Sequence, residues 1–134
     1  MSAKTVTLQI PEILYQRLVN TAHATQRPLE EVMLHALQVG SPPAWDDAPE
    51  EFQAELAALD KLNDNNLWQI VHSRKTADDM KRYDILLEGN SSGTLTEAER
   101  LELISLRHEA DLFMLRKAHA GVLLRWRGYS VPAP

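Results

Sequence analysis

The residues best suited by type to chemistry crowd together near position 110. His108, Glu109 and Asp111 fall within four residues, His119 follows, and Glu97, Glu99 and Glu102 precede them. On a helix, residues three apart share a face, so His108 and Asp111 have workable spacing for two metal ligands. A helical metalloprotease motif needs a second His four positions after the first, and position 112 is Leu. No Glu-x-x-His pair occurs anywhere, which removes the signature of di-iron bundles. The nucleophiles are no better placed. There is no cysteine and no Gly-x-Ser-x-Gly. Gly89 to Gly93 reads Gly-Asn-Ser-Ser-Gly without the Lys-Ser/Thr of a phosphate loop, and Asp78-Asp79 suits a helix start. The expectation is a protein that is not an enzyme, with no metal and no cofactor.

A second group is more suggestive. After Asp111 the chain has no acid, while Arg116, Lys117, Arg125, Trp126, Arg127 and Tyr129 follow. Basic residues late in a helix complement its dipole. Arg, Trp and Tyr are also the types enriched at binding hot spots. Arg116, Arg125, Trp126, Arg127 and Tyr129 are therefore candidate partner-binding residues. They could face an acidic partner, the chain's own acidic segment over 46–60, or nucleic acid.

Charge placement limits the choices. The formal charge of the whole chain is −5. Residues 1–40 sum to zero, 41–66 to −6 and 67–134 to +1. No segment is the strongly basic stripe that non-specific nucleic-acid binding prefers. Hydrophobic residues make up 44% and charged residues 25%, ordinary for a globular chain. No apolar run approaches the roughly 20 residues of a membrane span, and the alternating start from Lys4 does not read as a signal peptide. Together with the absence of cysteine, this gives a cytoplasmic protein without membrane contact as the expectation.

The elements that position these residues are mostly helical in pattern. Residues 4–10 alternate strictly, with Val6, Leu8 and Ile10 on one face and Thr5, Thr7 and Gln9 on the other, which predicts one short strand. A lone strand needs a partner for its backbone, and the simplest is the same strand of a second copy. Pro11 opens a helix to about Thr25, and Pro28 opens another that Gly40 ends. Residues 41–49 form a Pro-rich linker, and 50–134 a helical domain. The run Asn63-Asp64-Asn65-Asn66 is expected to cap a short helix, Thr76 with Asp79 to form a capping pair, and Thr96 with Glu99 a capping box that starts a helix to about Trp126. The preceding helix, read as ending at Gly89, should pair with it as a long hairpin. Met80, Tyr83 and Leu87 would then meet Leu101, Ile104, Leu112 and Leu115.

Strand, helix, turn, helix over residues 1–40 resembles the ribbon-helix-helix family of prokaryotic repressors and antitoxins. The likeness lies in TVTLQIPEILYQRL and RPLEEVMLHAL, under a third of the chain, followed by a helical extension like those of uncharacterised antitoxin-like proteins. The resemblance implies a homodimer whose paired strands bury Val6, Leu8 and Ile10. It also implies that Thr5, Thr7 and Gln9 enter the major groove of operator DNA. The family holds a phosphate on amides at the start of its second helix. That corner is Arg27-Pro28-Leu29 here. Proline has no N–H to give, so Arg27 would have to serve as the cation. The expected fold class is thus mostly α, with an N-terminal ribbon-helix-helix whose one short strand pairs in a dimer, then an all-helical region. The expected function is an antitoxin-type transcriptional regulator that binds a protein partner, such as a toxin, through its helical region. The alternative is an interaction or scaffold protein that uses the N-terminal module only to dimerise, its polar strand face merely solvated.

Overall fold

The computed structural model describes residues 3–132 and is built of six helices, with no strand among the described residues. The chain divides into two compact units, Met1–Ser41 and Pro42–Pro134.

The first unit corrects the expected fold class. Residues 3–10 precede the first helix without forming a strand. The alternation over 4–10 is real, but a ladder needs a second strand and the chain supplies none. Val6 and Leu8 are 80% and 70% exposed instead of lying in a dimer core, and Ile10 is half-buried. The unit is a helical pair, not a ribbon-helix-helix. Pro11 starts α1 (Glu12–Thr25), and the chain leaves it at Gln26 in the left-handed conformation, φ 53°. Pro28 starts α2 (Leu29–Val39), with Glu30 and Glu31 in its first turn. The two helices pack on each other, yet Ala22 is the one residue of the described unit that is fully buried.

The second unit has a true core. The expected linker begins it: Trp45 and Ala48 pack on that core, and Gln53 Nε2 donates to the carbonyls of Asp46 and Ala48. Then come α3 (Glu50–Leu59) and α4 (Asp64–His72), the latter capped by Asn63, whose side chain accepts from the Asn66 amide at 2.9 Å. Thr76 caps α5 (Ala77–Ser92) in the same way. Thr96 and Glu99 form a reciprocal capping box at the start of α6 (Glu97–Trp126). The Thr96 backbone N–H, which donates to Glu99 Oε1 at 3.0 Å, and then the Thr96 side chain hold the Glu99 carboxyl below its ordinary range.

The long helix α6 has two jobs along its length. Its first half packs on α5, where the buried pair is Leu86 and Leu103. Met80, Leu101 and Ile104, expected in that seam, are 55%, 61% and 63% exposed. Arg82 grips Glu102 with two hydrogen bonds of 2.8 and 2.6 Å across the hairpin, which raises the Arg82 pKa and lowers that of Glu102. The second half packs on α3 and α4, where Leu56, Leu59, Leu67, Ala120, Leu123 and Leu124 form the core. Among the described residues no helix is long and apolar enough to cross a membrane.

Candidate functional site

The last two turns of α6 and the residues after it carry His119, Arg125, Trp126, Arg127 and Tyr129. The short turn between α3 and α4 places Asp60 and Asp64 against that end. His119, only 8% exposed, brings Nε2 to 2.9 Å from Asp60 Oδ1. The other oxygen of the same carboxylate accepts the Trp45 indole N–H at 3.0 Å. One turn past the core, Arg127 donates through Nη1 to the Leu62 carbonyl at 2.9 Å and to Asp64 Oδ1 at 2.8 Å. Its Nη2 reaches the Asp60 carbonyl at 3.4 Å. A guanidinium thus satisfies carbonyls left over at the end of α3, which is what a cation at a helix C-terminus does well.

Tyr129 completes the arrangement. Its hydroxyl donates to Asp64 Oδ2 at 2.6 Å, and its ring meets Trp68 edge-on at 5.9 Å between centroids. Trp68 in turn stacks on His72 at 5.4 Å. The Tyr129 hydrogen bond, then the one from Arg127, lowers the Asp64 pKa from its ordinary value. The same Tyr129–Asp64 bond raises the tyrosine.

This network ties the end of α6 to the turn before α4. Among the described residues no nucleophile is hydrogen-bonded to His119, whose bonded ring nitrogen faces Asp60. His108 lies against the Phe52 ring at 4.8 Å between centroids. Among the described residues no group of three His, Cys, Asp or Glu could hold a metal ion.

The predicted partner-binding residues therefore separate. Arg127 and Tyr129 are engaged within the unit. Arg116 is half-buried, Arg125 donates to the Val131 carbonyl at 3.4 Å, and Trp126 is 51% exposed. Beside Arg125 a cavity of about 700 Å³ opens between the ends of α4 and α6. Its apolar lining includes Val71, Met114, Ala118, Val122 and Val131, with the backbone at Gly121. His72, Arg74, Lys117 and Arg125 supply the polar part, and none of the described residues lining it is an acid. Sequence reasoning named Arg125 as a candidate, with Lys117 in the same basic cluster, and missed Arg74 and the apolar lining. The available signal was the spacing of 114, 118, 121, 122 and 125, one face of a single helix.

In the first unit, Thr5, Thr7 and Gln9 are all exposed. Arg27 lies 3.9 Å from Glu31, one turn on, with both side chains largely solvated. No family model, curated protein or solved structure matches the chain. The ribbon-helix-helix resemblance therefore rests on the residues of 3–40 alone.

Proposed function

We propose that the chain is a cytoplasmic interaction protein that self-associates through its N-terminal unit and presents its C-terminal unit to a protein partner. The observation that carries this reading is the unequal burial of the two units. In the first, Ile13, Leu14, Leu34, Leu37 and Val39 are 47–73% exposed, while among the described residues Ala22 alone is buried. A unit of 41 residues is near the lower limit for folding without a disulfide, a metal or a second copy. Cysteine is absent, so no disulfide is available. Burying a Leu or Ile side chain is worth about 1.5–3 kcal/mol, and a second copy offers the same apolar face by twofold symmetry. The test is hydrogen exchange of residues 12–39 at several protein concentrations. Protection that rises with concentration supports completion by a second copy. Protection that is high and unchanged on dilution would mean that each copy folds this unit alone.

A second reading adds operator DNA, as the resemblance implies for an antitoxin-type regulator with a toxin as its partner. Its support is the exposure of Thr5, Thr7 and Gln9 on an approach free of acids until Glu12. The zero net charge of residues 1–40 and the Arg27–Glu31 contact weigh against strong phosphate binding. Selection from random duplexes decides between the two. Enrichment of one sequence, lost when Thr5, Thr7 and Gln9 become alanine, favours the regulator.

A further inference from the structure

We infer that the cavity between the ends of α4 and α6 is a docking groove for an acidic amphipathic helix of a partner protein. This rests on the reading of the second unit as partner-binding and names the chemistry of that partner. Three features of the groove point to a helix. Met114, Ala118, Gly121, Val122 and Arg125 follow the i, i+4, i+7, i+8, i+11 spacing of one helix face, the surface into which another helix lays its ridges. Gly121, itself buried, has no side chain, so the floor of the groove lies close to the α6 backbone under Val131; a Cβ would meet only Val131 Cγ1, at 3.7 Å. Met114, 68% exposed, is a flexible side chain that adapts to an incoming surface.

The charges select the partner's sign and shape. Arg74 and Lys117 line the groove, and among the described residues their side chains have no hydrogen-bond or ion-pair partner. Lys117 and Arg125 are eight residues apart on α6, about 12 Å along the axis at ~1.5 Å per residue. Two carboxylates spaced along a helix match that span better than one anionic head. A helix carrying carboxylates two turns apart, on either side of an apolar stripe, meets Lys117 and Arg125 together. A lining without acids on a chain of net charge −5 makes this the local place where such a helix is attracted.

The probe is a labelled designed peptide of ~18 residues, about five turns, with a leucine stripe flanked by glutamates two turns apart. Its binding to the full chain is followed by fluorescence anisotropy. Saturable binding that weakens with salt is expected. The double variant Lys117→Glu, Arg125→Glu should lose about tenfold or more in affinity, and so should the peptide with lysines in place of the glutamates. Gly121→Met should block the groove by filling it. Met114→Glu, at an exposed position, should weaken binding without touching the core. Equal affinity for the lysine peptide would overturn the inference, as would affinity unchanged by the charge reversal. So would binding of dodecanoate, but not of the peptide, with Arg125-dependent affinity. Loss of peptide binding with self-association intact removes the groove assignment alone. Peptide binding by a strictly monomeric chain removes the self-association reading and leaves the groove.

Discussion

The Tyr129 hydroxyl donates to Oδ2 of Asp64 at 2.6 Å, and Oδ1 of the same carboxylate receives Arg127 at 2.8 Å. One side chain in the first turn of α4 thus holds two residues that follow the last turn of α6. The end of a 30-residue helix is thereby fixed to the unit's core by a carboxylate more than sixty positions earlier.

This clamp makes stability depend on pH at both extremes. The Asp64 pKa is depressed, so its contribution is complete above the ordinary value of 3.8 and is lost as pH falls through the lower folded-state value. The Tyr129 pKa is raised, so its contribution is complete below 10.0 and is lost as pH rises through the higher folded-state value. Glu99 and Glu102 are depressed in the same way from 4.5, so thermal melts across pH should show a plateau from 4.5 to 10.0. Tyr129→Phe should lower the plateau and reduce the alkaline loss. An alkaline limb unchanged in that variant would remove the tyrosine from the account.

The register of the α5–α6 hairpin is tested by two neighbouring residues. Leu103 is 4% exposed and Ile104 is 63% exposed. Leu103→Ala should cost about 2–5 kcal/mol in urea unfolding, and Ile104→Ala should stay within about 0.5 kcal/mol. The reverse order would restore the seam expected from the sequence.

Two glycines should respond to alanine with opposite signs. Gly121 lies inside α6 with room for a methyl group, so Gly121→Ala should stabilise by up to about 1 kcal/mol. Gly93 has φ +68° at the end of α5, so Gly93→Ala should destabilise by roughly 1–2 kcal/mol. Unfolding midpoints of the two variants, on opposite sides of the wild type, check this.

What could be read from the sequence was local. The caps at Asn63, Thr76 and Thr96 depend on side chains three residues from their targets, and the spacing alone reveals them. The strand over 4–10 failed because alternation is local while a ladder is not. Gly89 reads as the end of α5, but the helix runs three residues further, to Ser92, and Gly93 stops it. Two glycines one turn apart both suit a helix stop, and only packing tells them apart. A Cβ on Gly89 would come within 2.5 Å of Leu95 Cδ2, so that glycine serves a close approach, while Gly93 turns the chain. The partners of Arg127 and His119 are long-range, and no spacing rule points from them to Asp64 and Asp60. Counting charge by segment brought the acids and bases into view without pairing them.

Self-association is the central claim, and sedimentation equilibrium of the full chain tests it most directly. The wild type should fit a monomer–dimer equilibrium at micromolar concentration. A Leu34→Asp, Leu37→Asp variant should sediment as a monomer, because both residues lie on the exposed face of α2. A wild-type chain that remains monomeric up to high micromolar concentration would contradict the account.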